Sequence, residues 1–149
     1  TQLIALEPEP GMIKRGRTRV PDGLPVEWLE RGAETANLAP GSVDTIVTTY
    51  TLCTIPNAVG ALAALRPALK PGGQLLFCEH GLAPDPGVVK WQKRIEPVWR
   101  PIAGGCHLTR DVDAMLGAAG WRIDASERMY LPGTPGWAGY NVWGSARPV

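Results

Sequence analysis

The sequence predicts an α/β protein organised around a parallel β-sheet. A β-branched run from Val43 to Thr49 carries little polarity, which is typical of a strand buried on both faces. An alanine- and leucine-rich segment follows, and a second apolar run, from Gln74 to Cys78, comes after it. Strand, helix and strand in this order indicate a right-handed crossover that joins parallel strands of one sheet.

The chain before this unit is predicted to hold two more strands and one helix. Leu3 to Leu6 is the first apolar run, and Pro10 suits the first turn of the helix that follows it. The basic stretch from Ile13 to Arg19 is typical of a solvated helix face. After a turn at Pro21 to Gly23, the segment from Val26 to Leu29 is expected to be an edge strand.

The helix inside the central unit has clear start and stop signals. Asn57 offers an N-cap, and an apolar edge follows at helical spacing, made of Leu62, Leu65 and Leu69. Pro67 removes a backbone donor, so the helix is expected to kink or end there. Lys70 to Gly73 is then expected to turn the chain into the next strand.

The second half predicts two helices and two strands. An amphipathic helix from Val88 to Val98 is expected to kink or stop near Pro97, and a glycine-hinged loop from Trp99 to Leu108 follows it. The next helix is predicted to begin with Thr109 as N-cap and to end at Gly120. Beyond it we expect a strand, a loop and a last strand, over Trp121–Ala125, Leu131–Gly139 and Tyr140–Ala146.

Composition narrows the range of functions. With 149 residues the chain can form one domain with a real core. A net charge of +1 without a long charge run argues against nucleic acid and against an anionic membrane surface as partners. No apolar run approaches the ~20 residues of a membrane span. The three cysteines lie far apart and show no zinc-binding spacing, so we expect no metal site and a reducing, cytoplasmic compartment.

Polar side chains follow three of the predicted strands, at the edge where open α/β sheets bind ligands. Glu7 follows the first strand, where an acidic residue can accept hydrogen bonds from ribose hydroxyls, or it is an exposed residue of a turn. Thr49 and Tyr50 end the Val43 strand. Glu79 and His80 end the Gln74 strand, either as titratable groups of a site or as a backbone cap and a half-buried packing residue.

Taken together, these motifs resemble class I S-adenosylmethionine-dependent methyltransferases. The resemblance rests on an acidic residue opening a strand at Asp44, a helix, the sequence LKPGG and an apolar strand. The later sequences CEHG, WQKRIEPVWR and GGCHLTRD are similar to a small-molecule branch of that family. This branch includes thiol methyltransferases of the methyltransferase-like type and bacterial proteins called phospholipid N-methyltransferase-like. The resemblance covers Leu3 to Ala146.

The resemblance implies a fold and a set of cofactor-binding residues. The fold is a Rossmann-like sheet with strand order 3-2-1-4-5-7-6 and an antiparallel last strand. An acidic residue binds the ribose, a methionine and a small-residue loop lie against adenine, and residues after the fourth strand contact the methionine end of S-adenosylmethionine. The matching positions in this chain are Glu7, Met12, Gly32, Ala33, Thr49 and Tyr50. The loop departs from the family pattern at Ala36-Asn37, where the family has Leu-Pro.

The implied chemistry is in-line methyl transfer to a small, apolar acceptor, with a thiol as one candidate. A thiol acceptor needs only to lose its proton, whereas an amine or hydroxyl would benefit from a nearby base. The candidate catalytic groups are His80 and His107, although for His107 the favoured alternative is a lid residue hydrogen-bonded to the backbone.

One departure concerns the first strand and the GxGxG loop of the family, which find no match in these residues. We therefore expect residues 1–149 to be a single, N-terminally incomplete domain, with the first strand supplied by an upstream segment or by a partner chain. Two other readings stay open. One is a non-catalytic methyltransferase-like module that binds or scaffolds. The other is an NAD-type oxidoreductase, which the Lys70–Gly73 turn and the expected antiparallel last strand disfavour.

Overall fold

A computed structural model describes residues 2–149 of the chain. In chain order its elements are β1 (Leu3–Leu6), α1 (Pro10–Arg17), β2 (Val26–Leu29), β3 (Val43–Thr49), α2 (Ala58–Leu65), β4 (Leu69–His80), α3 (Pro86–Ile102), α4 (Val112–Ala118), β5 (Trp121–Tyr130), α5 (Gly136–Gly139) and β6 (Tyr140–Pro148). Alternation of strands and helices confirms the predicted α/β class.

The strands form two sheets. β1 and β2 pair in parallel, and a four-stranded sheet has the order β3-β4-β6-β5. β3 and β4 are parallel, and the last strand, β6, runs antiparallel to both β4 and β5; both directions agree with the prediction. Because no described strand joins β1 to β3, the continuous order 3-2-1-4-5-7-6 stays a prediction.

The core lies on one face of the four-stranded sheet. Leu75 and Phe77 of β4 and Val142 of β6 point to this face, where Leu62 of α2 and Leu116 of α4 cover them. All of these side chains are buried. Burying a side chain of this size stabilises the fold by about 1.5–3 kcal/mol relative to leaving it in water. This layer therefore holds α2 and α4 against β4 and β6.

The opposite face of β3 is open, which makes the prediction of burial on both faces wrong. Val47 is 66% exposed, and its neighbour on β4, Leu76, is 39% exposed. A β-branched run favours an extended backbone, but its burial depends on a covering element. Among the described residues none covers Val47.

The end of α2 agrees with its sequence signals only in part. The helix ends at Leu65, and Pro67 lies in a 3₁₀ turn over Arg66–Ala68, so the predicted early end is confirmed. Leu69 belongs to β4 and not to the helix. The expected turn at Lys70–Gly73 lies inside the bounds of β4, where the pairing jumps by two residues on β3 and by five on β4. These residues therefore bulge out of the ladder.

Three boundaries in the second half differ from the prediction. α3 continues through Pro97 to Ile102, so neither a stop at Pro97 nor a loop from Trp99 occurs. Pro97 is exposed, and the carbonyl that its missing N–H leaves free can bond water. The N-cap of α4 is Asp111, whose carboxylate accepts from the N–H of Ala114 at 3.0 Å. Thr109 is not that cap because its hydroxyl is bound elsewhere, as described below.

Two predicted strands were too short, and one predicted loop contains a helix. β5 extends past the predicted end at Ala125 to Tyr130, and β6 extends past Ala146 to Pro148. The expected loop from Leu131 to Gly139 contains the short helix α5. Across residues 2–149 we find no helix with both the length and the apolar character that a membrane crossing requires.

Candidate functional site

Tyr50 and His80 meet at the carboxyl ends of the parallel neighbours β3 and β4. The N–H of Tyr50 donates to the carbonyl of Cys78 at 2.9 Å, so this residue continues the ladder. Its φ of +50° is left-handed, which costs a non-glycine residue on the order of 1 kcal/mol and is concentrated at functional positions. The ring of Tyr50 lies 6.3 Å from that of His80, between centroids.

The hydroxyl of Tyr50 is held by a residue of β6, which lies two strands away from β3 in the sheet. It donates to Oδ1 of the buried Asn141 at 2.6 Å. Burial raises the pKa of Tyr50, and the nearby Cys78 and Glu79 raise it further, so the phenol keeps its proton and acts as a donor. The tyrosine therefore presents a fixed ring, 46% exposed, at the edge of the sheet.

Glu79 supports this edge from within the core. The side chain is fully buried, and its Oε2 accepts from the N–H groups of Thr51 at 2.8 Å and Leu52 at 3.1 Å. Burial raises the pKa of Glu79 to about 7, although the two backbone donors lower it. The alternative that Glu79 caps a neighbouring backbone agrees with this geometry. The carboxyl anchors the segment that follows Tyr50.

His80 lies beside two cysteines that are remote in the sequence. Its Nε2 is 2.8 Å from Sγ of Cys106, and the ligand atoms of Cys53, His80 and Cys106 all lie within 4.8 Å of one another. The N–H of His107 donates to the carbonyl of Cys53 at 2.9 Å and so ties the two cysteine segments together. Burial lowers the pKa of His80, which favours a neutral imidazole.

Sequence reasoning missed this cluster, which we call the Cys–His–Cys cluster. Its members stand 26 and 27 positions apart along the chain, outside any familiar metal-binding spacing. The usable signal was topological: His80 ends a central strand, and Cys53 follows the parallel neighbour of that strand. Cys106 comes from the segment after α3, which no local pattern places there.

His107 has a different environment from His80. Its Nδ1 is 3.3 Å from Oε1 of Glu96 on α3. The other oxygen of Glu96 accepts from the N–H of Leu108, and from both the N–H and the hydroxyl of Thr109, at 2.7–2.8 Å. Glu96 thus fastens the segment that carries His107 onto α3. The imidazole of His107 contacts a side chain, while its N–H binds the backbone carbonyl of Cys53.

Three of the predicted ribose and adenine residues follow the carboxyl ends of β1 and β2, the strands of the two-stranded sheet. Glu7 follows β1 and its N–H donates to the carbonyl of Leu29 at the end of β2, at 3.1 Å. Gly32 and Ala33 open a 3₁₀ turn just after β2. Met12 lies on α1 and is 50% exposed. Glu7, Gly32 and Ala33 therefore come from adjacent strand ends, whereas Tyr50 and His80 come from the four-stranded sheet.

A cleft of about 270 Å³ lies near the end of β4, lined in part by Gly81, Asp111, Arg128 and Tyr140. None of the residues that line it belongs to the predicted site. We therefore assign the site by the strand ends and not by this cleft.

A comparison with known families supports the fold and its class. The family model described as Methyltransferase domain matches residues 1–77. Thiol S-methyltransferase TMT1B from Rattus norvegicus is 40% identical over 81 residues, which cover 54% of this chain and 33% of that protein. Thiol S-methyltransferase TMT1A from Homo sapiens is 36% identical over 81 residues, with the same shares. The match thus spans about a third of the length of these relatives.

Solved structures extend the likeness over the whole chain. A protein of Bacillus halodurans C-125 described as a methyltransferase superposes with a TM-score of 0.77 at 15% identity, covering 100% of this chain and 84% of that one. An S-adenosylmethionine dependent methyltransferase from Mesorhizobium loti superposes with a TM-score of 0.67 at 21% identity, covering 98% of this chain and 80% of that one. At such identities the likeness shows the fold alone.

Proposed function

The chain belongs to the methyltransferase domain family, and from this premise we propose that it transfers a methyl group from S-adenosylmethionine to a small apolar acceptor, with a thiol as the favoured class. The observation that carries the proposal is the meeting of Tyr50 and His80 at adjacent parallel strand ends, the edge at which α/β sheets bind ligands. The identity to thiol S-methyltransferases supports the choice of acceptor.

The residues present fit the cofactor. Among residues 2–149, the one hydrogen bond to the Glu7 carboxylate comes from the N–H of Glu9 at 2.9 Å, which leaves the other oxygen open to ribose hydroxyls. Gly32 and Ala33 have small side chains, which let a flat ring approach the backbone closely. We assign Met12 to the adenine and Thr49 with Tyr50 to the methionine end.

The bound cofactor supplies an electrophilic methyl group on a sulfonium, and the protein orients the acceptor and excludes water. We place the acceptor beside His80, because it ends the central strand β4 and faces Tyr50. A thiol acceptor is the best match, since its proton leaves near neutral pH without a strong base. His107 is the second candidate, but its bond to Glu96 suits it better for holding the loop.

We further propose that another strand completes the free edges of β1 and β3. Among the described residues β1 pairs with β2 alone and β3 with β4 alone. The exposed Val47 and Leu3, at 66% and 47%, are the kind of surface that a covering element would bury. An upstream segment or a partner chain are the two sources. A stable monomer of these residues that binds the cofactor tightly without any addition would contradict this proposal.

Release of S-adenosylhomocysteine, measured by mass spectrometry, tests the proposed reaction. The panel of acceptors holds small apolar thiols, and amines and phenols of matched size. We expect turnover with thiols, and at least a tenfold loss in His80→Ala. His107→Ala should keep most of the turnover, and the opposite ranking would move the acceptor to His107.

The same assay separates the enzyme from a binding module. Cofactor binding without release of S-adenosylhomocysteine for any acceptor would favour the non-catalytic alternative.

We place the reaction in the cytoplasm, because the three cysteines are free and a reducing compartment keeps them so.

A further inference from the structure

We propose that Cys53, His80 and Cys106 form a zinc site with three protein ligands and one open position. Two sulfur atoms and one imidazole nitrogen are the donors that Zn²⁺ prefers, and Cys₂His with a free fourth position is an established catalytic arrangement for this ion. Residues 2–149 contain one such group of three ligating side chains, and these are its members.

The distances are compatible with a shared ion. With Zn–S near 2.3 Å and Zn–N near 2.0–2.1 Å, tetrahedral ligands lie roughly 3.5–3.8 Å apart. The three donor atoms already lie within 4.8 Å of one another. His80 Nε2 and Cys106 Sγ, at 2.8 Å, would separate by somewhat less than 1 Å, roughly the shift that a small side-chain rotation provides.

The backbone holds the ligands in place from three directions. Cys53 follows the segment that Glu79 anchors through Thr51 and Leu52. His80 ends β4, and the N–H of Cys106 donates to the carbonyl of Ala103 at 3.1 Å. A ligand set fixed by such contacts loses less freedom on binding, which favours a resident ion.

Binding of Zn²⁺ would replace the protons of the two thiols and release them to solvent, while the imidazole of His80 would bind as a neutral ligand. The alternative is that the cluster is simply buried packing with one histidine–thiol hydrogen bond.

The open position gives the site a role that rests on the proposed function. An acceptor R–SH would bind there as R–S⁻ and lose its proton to solvent. Its sulfur would then form the new S–CH₃ bond while the bond between the methyl carbon and the cofactor's sulfur breaks, giving a thioether and S-adenosylhomocysteine. Because the metal stabilises the thiolate, no general base is needed, and His80 acts as a ligand.

Titration with Co²⁺, a spectroscopic substitute for Zn²⁺, tests the site without relying on activity. The reduced chain is first treated with a chelator, and cofactor is left out. We expect one equivalent of Co²⁺ with an intense thiolate-to-metal charge-transfer band and the visible bands of tetrahedral Co²⁺, both removed by Zn²⁺. Cys53→Ser, His80→Ala and Cys106→Ser should each weaken binding beyond the roughly 10–100-fold that loss of a supporting residue costs.

Cys78→Ser is the matched control. Cys78 is also a free cysteine, half-buried on the same strand as His80, but it is not a member of the cluster. It should bind Co²⁺ as the unmodified chain does, and circular dichroism of every variant checks the fold. Absence of the charge-transfer band in the reduced chain, or equal binding by the cluster variants and Cys78→Ser, would overturn the proposal.

Added thiols separate this inference from the proposed reaction. A small apolar thiol should shift the Co²⁺ bands if the fourth position is open. If the thiol shifts the Co²⁺ bands but no acceptor is methylated, the metal site is supported and the proposed reaction is refuted. Undiminished methyl transfer in the metal-free chain would refute the role of the ion in the reaction.

Discussion

The carboxylate of Glu79 accepts a hydrogen bond from the backbone N–H of Leu52 at 3.1 Å, inside the core. Thr51 donates to the same oxygen at 2.8 Å. These two bonds fix the chain just after Tyr50 and just before Cys53. A single buried carboxylate therefore sets the geometry of two parts of the candidate site, the ring at the strand end and the first cysteine of the Cys–His–Cys cluster.

Glu79→Ala should lower the free energy of unfolding by about 2–4 kcal/mol. The substitution leaves the N–H of Thr51 and the buried N–H of Leu52 without an acceptor, and it opens a cavity. Urea denaturation, followed by tryptophan fluorescence, measures the change.

Glu79→Gln is the matched control for this substitution. The amide oxygen of glutamine can accept from the same two N–H groups, and the side chain keeps its volume, so we expect a loss of less than about 1.5 kcal/mol. Equal losses for the alanine and glutamine variants would show that the two hydrogen bonds do not hold this segment.

Glu7→Ala should weaken the binding of S-adenosylhomocysteine by about 1.5–3 kcal/mol, the range for hydrogen bonds to a charged group. The physical reason is the place of Glu7 at the end of β1, with one carboxylate oxygen open. Isothermal titration calorimetry measures the affinity. Glu27→Ala, an exposed carboxylate on the neighbouring strand, should leave it unchanged. An unaltered affinity in Glu7→Ala would remove Glu7 from the ribose site.

Short strands were predicted well where local signals bound them. Glu7 and Pro8 follow Leu3–Leu6, while Pro25 and Glu30 flank Val26–Leu29, and the structure has both strands at the predicted bounds. Proline was a weaker guide in helices. Pro67 ends α2, but Pro97 does not end α3, because an exposed turn tolerates the lost hydrogen bond.

Of the candidate site, the sequence predicts only those residues that directly follow a strand. The approximate edge positions of Tyr50 and His80 follow from the strand pattern, since side chains after parallel strands share one edge. The pairing of His80 with Cys106 depends on the path of α3 and of the segment after it, and no local periodicity encodes that path. The exposure of Val47 likewise depends on which element covers β3.

The segment from residue 101 to 108 should become more protected from hydrogen exchange when ligands bind. Gly104 and Gly105 adopt left-handed φ angles of +60° and +89°, a conformation that suits a hinge between α3 and the residues that follow. Exchange followed by mass spectrometry, with and without S-adenosylmethionine and a small thiol, measures the protection. Unchanged exchange there, with slower exchange around Thr49, would mean that cofactor binds while this loop takes no part.

Glu96 should make the stability of the fold depend on pH in the acid range. Burial raises the pKa of Glu96, but hydrogen bonds from Thr109 and the contact with His107 outweigh it, so the pKa lies below its usual value of 4.5. The unfolded chain therefore takes up a proton before the folded one. The contribution of the carboxylate is complete above the unfolded pKa and is lost as the pH falls through the folded pKa.

Glu96→Gln should accordingly cost about 1–3 kcal/mol at pH 7, where the carboxylate of the unmodified chain holds Leu108 and Thr109. The difference between the two proteins should shrink as the pH falls below about 5 and through the lowered pKa of the folded state, because the carboxyl group then carries a proton in both states. Urea denaturation across this range measures it. Glu127→Gln removes the same charge from an exposed position of β5 and should show no such pH dependence. A constant difference between Glu96→Gln and the unmodified chain over this range would mean that the charge of Glu96 does not hold the segment that carries His107.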